Sequence, residues 1–358
     1  MKAPMKTDLP GFRVNHMTFA FSTTGLDYAG PLFVRNKGLP SSKVYILLFT
    51  CASSRAIHLE LTPDMKIPAF LRGFKRFVSR RGKPNEIIND NFKTFKWTEV
   101  KNFMTNANVY QRFILPASPW WGGFYERLVR SVKTSLKKIL KKALVTFEEL
   151  QTILCEIESV INLRPLCYTS DEDLNATITP NHLMFGRNLN TTPTNLFFND
   201  DLNPSECTRR VNHLKSIVSH FWKRFSSTYL NELRQRHIYE RKTKMNETEL
   251  KLNDVVLVKD DVPTPRTKWR IGKVEQLIAG KDGQTRGAKL KMANESGKTT
   301  TAHRPVQKLI PFEITEEPVP MENVSSGVAR DQNHGEGRIR RRAAVEGQTL
   351  RRLRQKHY

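Results

Sequence analysis

The sequence predicts an α/β protein: a mixed sheet flanked by helices, followed by a long helix, a small all-β barrel-like unit and a disordered basic tail. Three observations predict it. Short apolar, β-prone runs open the chain and then alternate with amphipathic runs of helical spacing, the order of a mixed sheet covered by helices. Residues 209–244 keep Val211, Leu214, Val218, Phe221 and Phe225 on one helical side. From 254 to 312 short β-prone runs alternate with turns such as Lys281-Asp282-Gly283, the pattern of a small barrel.

Residues 26–34 read as a strand ended by Asn36-Lys37-Gly38. Residues 44–51 and 56–61 are apolar runs split by Ser53-Ser54-Arg55, hence a hairpin. Residues 68–81 read as a helix, with Phe70, Leu71, Phe74, Phe77 and Val78 at helical spacing and Gly82 at the stop. Residues 86–88 form a short buried strand running into Asn89-Asp90-Asn91, residues 98–105 a helix, and 109–115 another strand. Pro116 to Gly123 reads as a loop. A basic amphipathic helix then covers 124–143, and a second helix covers 147–162, stopped by Arg164-Pro165. Residues 166–208 are loop-rich. Beyond Phe312 an acidic stretch beginning at Glu313 gives way to an arginine-rich one, a composition that cannot bury enough apolar surface to fold. These shifts divide the chain into an N-terminal arm (1–10), a first α/β domain (11–195), a linker with the long helix (196–250), a small β domain (251–312) and a disordered tail (313–358).

Lysine and arginine number 59 against 35 aspartates and glutamates, a net charge of +24. Such an excess makes a polyanion the natural partner, although charge alone suits equally a protein that merely coats nucleic acid. Hydrophobic residues make up 38% of the chain, enough for at least one good core. The four cysteines, Cys51, Cys155, Cys167 and Cys207, show no CxxC pairing, which suits free thiols in a reducing compartment. No run approaches the ~18 apolar residues of a membrane span, and the first residues lack the apolar region of a signal peptide. The expectation is an intracellular, soluble protein with no membrane partner. His16, His58 and His182 show no metal spacing with the cysteines, and His213 and His220 stand seven apart on a helix, so no structural zinc is expected. His58, inside a strand, reads as a packed histidine rather than a ligand.

Three carboxylates stand at suggestive points. Asp27 lies in the first strand, Asp90 follows the fourth, and Glu126 opens the basic helix, with 35 residues between Asp90 and Glu126. An acid inside an apolar strand is costly unless satisfied. Three converging carboxylates suit hard divalent cations, whose remaining positions substrate phosphates and water fill. Two such ions roughly 3.5–4 Å apart can activate an attacking oxygen and stabilise a leaving one. Taken singly, each acid also has an ordinary structural role, as a strand-end cap or a first-turn carboxylate favoured by the helix dipole.

Several motifs occur in a fixed order: Asp27-Tyr28-Ala29-Gly30-Pro31, Arg55-Ala56-Ile57-His58-Leu59-Glu60, Phe77-Val78-Ser79-Arg80-Arg81-Gly82 and Trp120 through Val132. They continue through Phe147-Glu148-Glu149-Leu150, Asn162-Leu163-Arg164-Pro165-Leu166, Thr179-Pro180-Asn181-His182-Leu183 and Gly186-Arg187. On these residues the chain from roughly 11 to 190 resembles the integrase catalytic domain of BEL/Pao-type LTR retrotransposons. The resemblance extends to the small β unit at Trp269-Arg270-Ile271-Gly272-Lys273-Val274.

The resemblance implies an RNase H-like fold and a D, D-35-E constellation of Asp27, Asp90 and Glu126, all three as ligands of two Mg²⁺ or Mn²⁺ ions. It further implies joining of element DNA 3′ ends to target DNA by one-step phosphodiester transfer. The implied partners are double-stranded DNA, both element ends and target, and further copies of the chain. The implied place of action is the nucleus. Two features depart from the family. A zinc-binding HHCC domain usually precedes the core, and this chain begins about two dozen residues before Asp27. The family's usual Ser-Asp-Asn-Gly reads here Asn89-Asp90-Asn91-Phe92, so a phenylalanine stands where a glycine would permit positive φ. The competing readings are therefore an integrase, favoured by the intact Asp27, Asp90 and Glu126, and a catalytically inactive DNA-binding remnant, favoured by the two departures. A nuclease of the same fold fits the 35-residue spacing and the Trp-Gly-Gly loop less well.

Arg130, Lys133, Lys137 and Lys141 follow Glu126 at offsets of four, seven, eleven and fifteen, close to one helical stripe. Such a stripe suits a phosphate backbone held over the metals; a merely solvated basic face is the alternative. Leu128, Val132, Ile139 and Leu140 face the core. Trp120 and Trp121 precede two glycines. Trp121 is a candidate for stacking on an unpaired base, while at least one of the two is expected to pack inward.

Overall fold

The computed structural model describes residues 19–36, 39–89, 98–113, 123–140, 145–169, 177–187, 207–243, 250–259, 269–281, 283–293 and 299–314. These belong to one compact unit, Met1–Thr315; the second unit, Glu316–Tyr358, lies wholly outside them, as does most of the expected tail.

The first three strands are β1 (Thr23–Asn36), β2 (Leu39–Cys51) and β3 (Ile57–Thr62), and each pairs antiparallel with the next. Helix α1 (Ile67–Arg81) follows, with Pro68 in its first turn and Gly82 at φ 88° closing it, as the glycine signal predicts. Next come β4 (Glu86–Asn89), α2 (Thr98–Asn106) and β5 (Tyr110–Phe113). Strand β4 pairs parallel with β1, and β5 parallel with β4. The sheet order is β3-β2-β1-β4-β5, so β2 alone runs against the other four strands, the RNase H-like arrangement. Within β1 the register with β2 shifts between Ala29 and Leu32. Gly30 makes that irregularity at φ 139°, and a Cβ there would lie 2.9 Å from Tyr45 Cδ1, so a side chain fits neither the backbone nor the space.

The two faces of the sheet follow the period-2 alternation of its strands. On one side Leu26, Leu47 and Phe49 meet Phe70, Phe74 and Phe77 of α1 and Val100 and Met104 of α2. Phe49 and Phe77 stack there at 4.0 Å between ring centroids. On the other side Ile46, Leu48, Leu59 and Ile88 meet two helices, α3 (Gly123–Leu140) and α4 (Phe147–Asn162). A capping box starts α4, with Thr146 accepting from the Glu149 N–H and Glu149 reaching back to Thr146.

Residues 166–208 carry more structure than their composition predicts: a two-stranded ribbon of β6 (Cys167–Tyr168) and β7 (Thr177–Ile178), then the short helix α5 (Pro180–Phe185) with its own capping box from Thr179 and His182. The long helix is α6 (Cys207–Thr243). Its Val218, Phe221 and Phe225 are buried as the spacing predicts, whereas Val211 and Leu214 near its start are half-buried.

A second sheet follows, made of β8 (Val255–Val258), β9 (Ile271–Ala279), β10 (Thr285–Ala293), β11 (Thr299–Pro305) and β12 (Leu309–Ile310), antiparallel throughout in the order β11-β10-β9-β8-β12. Val256, Val258, Val274, Leu290 and Leu309 make its own small core. The alternate residues Val255, Leu257, Ile271 and Ile310, with Phe312, pack instead into the large core beside Phe221 and Phe225. Strand β8 is thus buried on both faces, and α6 is the layer between the two sheets rather than a tether.

Polar contacts lock these layers where the chain is farthest apart in sequence. Helix α4 covers the free edge of β3: the Asn162 side chain accepts from the Ile57 N–H (2.8 Å) and donates to the Ile57 carbonyl (2.9 Å), and Glu158 accepts from the Leu59 N–H (2.8 Å). An open strand edge is thereby satisfied by side chains one helical turn apart. Glu313 and Ile314, grouped with the tail on composition, pack against the core. Glu313 accepts from Arg55 (2.7 Å), from Tyr229 (2.6 Å) and from Arg164 (3.3 Å), whose side chain has no exposure at all. Ile314 N–H donates to the Leu166 carbonyl.

Candidate active site

Asp27 stands in β1 opposite Leu48 of β2. Its neighbours Leu26 and Tyr28 turn towards the phenylalanine-rich core, so Asp27 turns the other way, towards α3. Its side chain is 22% exposed. Oδ1 accepts from the Tyr28 N–H at 2.7 Å, which orients the carboxylate. Oδ2 accepts from Lys133 Nζ at 2.5 Å. The cost of placing an acid in a sheet is therefore met by one backbone donor and one cation.

On the other side of β1, Asn89 of β4 is in register with Leu26. The chain thus leaves β4 at the level of Asp27, and Asp90 is the next residue. Asp90 itself lies outside the described residues, as do Asn91, Phe92, Trp120, Trp121 and Lys141. Glu126 belongs to the first turn of α3, with its side chain outside the description. Lys133 is two turns further along the same stripe, because seven residues at 100° each return to within about 20° of the start.

The basic stripe divides in two. Arg130 and Lys137 are exposed, whereas Lys133 is half-buried against Asp27. The opposite face of α3 is apolar as predicted: Leu128, Val132 and Leu140 are buried and Ile139 half-buried. Ser131, also buried, donates to Glu232 of α6 and ties the two helices.

Hard oxygen donors are what magnesium or manganese selects, and Asp27 supplies one that already has a cation, the Lys133 ammonium, against its outer oxygen. That fits a metal ligand. Among the described residues no three His, Cys, Asp or Glu side chains cluster at metal-binding distance; Asp90 and the Glu126 side chain are not among those residues.

His58 is buried as a packed histidine, against Phe49 and Phe77. Burial holds its pKa below the ordinary value; hydrogen bonding and charge from Glu158 oppose this, and Arg81 and Arg80 reinforce it. Nε2 lies 2.9 Å from Glu60 Oε1, and Nδ1 lies 3.3 Å from both Glu158 Oε1 and Arg81 Nε, so the ring is held between two carboxylates and a guanidinium. Arg76 donates to Glu60 at 2.6 Å, and Arg81 pairs with Glu158. The motifs around His58, Arg81 and Asn162 are therefore a polar scaffold joining β3, α1 and α4. The pairing of Lys133 with Asp27 left no mark in the sequence beyond its place on the stripe.

A family described as a family of unknown function (DUF5641) matches residues 209–312, from α6 through β12. No curated protein matches the chain. Among solved structures, the HTLV-2 integrase catalytic core domain in complex with magnesium (dimeric form) is similar over 47% of this chain and 98% of that one, at 15% identity and a TM-score of 0.33. The BIV integrase catalytic core domain is similar over 46% and 95%, at 13% identity and 0.34. The simian T-cell lymphotropic virus intasome in complex with the PP2A regulatory subunit B56 gamma is similar over 82% and 79%, at 11% identity and 0.36. The likeness is loose, and the fold of this chain is defined by its own strand order and register.

Proposed function

We propose that this chain is an integrase core of a BEL/Pao-type LTR retrotransposon, joining element DNA 3′ ends to target DNA by phosphodiester transfer. The observation that carries the reading is the placement of Asp27. It sits on a central strand of the RNase H-like sheet, level with the exit of β4 that leads to Asp90, and faces α3, whose first turn includes Glu126. A site in which Asp27 is joined by Asp90 and Glu126 follows from that placement as part of this proposal.

Asp27, Asp90 and Glu126 would hold two Mg²⁺ or Mn²⁺ ions, which supply Lewis-acid activation of the attacking oxygen and charge stabilisation of the leaving one. The chain's own residues do the rest. Arg130 and Lys137, exposed on α3, bind and orient the phosphate backbone, with Lys141 continuing the stripe and Trp121 available to stack on an unpaired base. In the first step water cuts a phosphodiester near the element end, releasing a short leaving strand with its 5′-phosphate. In the second the freed 3′-hydroxyl attacks a target phosphorus; the new P–O3′ bond forms as the target's own P–O3′ bond breaks, and the proton lost by the attacking hydroxyl is balanced by one taken up by the target's leaving 3′-oxygen. Joining two ends calls for more than one copy of the chain. Acting on DNA places it in the nucleus.

The test is a strand-transfer assay with a pre-processed element-end duplex, a supercoiled target and Mn²⁺, run beside Glu126→Gln. Joined products from the parent chain that vanish in the variant are the expected result. Salt-sensitive DNA binding by both without products from either would replace the enzyme with a catalytically inactive DNA-binding remnant.

A further inference from the structure

We propose that Asp27 and Lys133 form a switch coupling divalent-cation binding to DNA binding, a deepening that rests on Asp27 as a metal ligand and α3 as the DNA-facing helix. Lys133 differs from the rest of its stripe. Arg130 and Lys137 are exposed, but the Lys133 ammonium lies 2.5 Å from Asp27 Oδ2. The other oxygen of the same carboxylate is taken by the Tyr28 N–H. A divalent cation approaching Asp27 therefore meets a carboxylate already paired with a monovalent one, and the two positive charges repel across it.

The pair sits where exchange is cheap: the side chains are 32% and 22% exposed, so neither ion must cross a dry interior. Lysine is suited to this, as a compact charge on a flexible four-carbon stem. Without metal, Lys133 neutralises Asp27 and is withheld from DNA. With metal bound at Asp27, the ammonium is released on the very stripe that faces the phosphates. Linkage makes the coupling reciprocal, so DNA that captures Lys133 also raises the affinity of Asp27 for the cation.

The experiment measures binding of a labelled duplex by fluorescence anisotropy across a salt series. It uses the parent chain, Asp27→Asn, Lys133→Met and the double variant, in EDTA and in Ca²⁺. In EDTA, Lys133→Met leaves affinity within about two-fold, while Asp27→Asn raises it about five-fold. The latter also steepens the log–log salt slope by about 0.9, one phosphate contact. Both gains vanish in the double variant. In Ca²⁺, Lys133→Met costs the parent chain about five-fold. Calorimetric titration with Mn²⁺ alone then shows Lys133→Met binding the ion more tightly than the parent.

A cost of Lys133→Met that is equal in EDTA and Ca²⁺ overturns the switch and leaves Lys133 an ordinary phosphate contact. So does an Asp27→Asn gain that survives in the double variant, which is simple charge removal. Absence of DNA binding by every form under every condition overturns the DNA-facing reading of α3 itself, a different failure.

Discussion

Replacing Glu313 by glutamine removes one charge while keeping shape, and it does so where three parts of the chain meet. The carboxylate accepts from Arg55 at the β2–β3 turn, from Arg164 after α4 and from Tyr229 on α6. Burial works to raise its pKa, but Arg164 and Arg55, with the Tyr229 hydroxyl, outweigh burial and hold it at about 2 against an ordinary 4.5. Each unit is worth about 1.4 kcal/mol, so the charged form is favoured in the fold by about 3 kcal/mol. The side chain is 12% exposed, so little of this is screened by solvent. A depressed carboxylate contributes stability that is whole above its unfolded pKa of 4.5 and is lost as pH falls towards 2. Glu313→Gln also leaves the fully buried Arg164 guanidinium without its counter-charge, a change of the same order. Urea unfolding at pH 7 should show the variant less stable by about 3 kcal/mol. The gap should close as pH approaches about 2, where the parent carboxylate is protonated too. A gap at pH 7 below about 0.5 kcal/mol, typical of surface pairs, would refute the reasoning; so would a gap that ignores pH between 5 and 2.

Three further outcomes are expected. Asn162→Ala strips both partners from the Ile57 peptide at the buried edge of β3, and urea unfolding should register a loss of about 2–4 kcal/mol. His58 is held neutral by burial, so its contribution is present above its unfolded pKa and falls away as pH drops through it; His58→Gln should flatten the decline in stability between pH 7 and 5, whatever its effect on stability itself. Arg130 and Lys137 both face solvent on α3, so replacing the two by alanine should lower the log–log salt slope of DNA binding by about 2. An unchanged slope would remove them from the interface.

Much of the architecture was legible because its signals are local. The phenylalanines of α1 recur at helical spacing and are buried together; Gly82 ends that helix at positive φ; α3 shows its apolar and basic faces in the order of its residues. The ribbon of β6 and β7 was not legible, since two-residue strands carry no periodicity. Nor was the burial of Glu313, whose neighbours in sequence are those of a charged tail.

By itself the sequence determined the elements, their order, the faces they would bury and the stripe on which Arg130, Lys133 and Lys137 lie, because side-chain period is a property of the backbone repeat within a few residues. Only the tertiary structure decided which member of that stripe would turn inward. Lys133 meets Asp27 across 106 positions, Glu158 meets His58 across 100, and Glu313 meets Arg55 across 258. Such pairings follow from how the sheet and helices close on one another. A charge taken from water into that closed space must find its partner among whatever residues the packing has brought there.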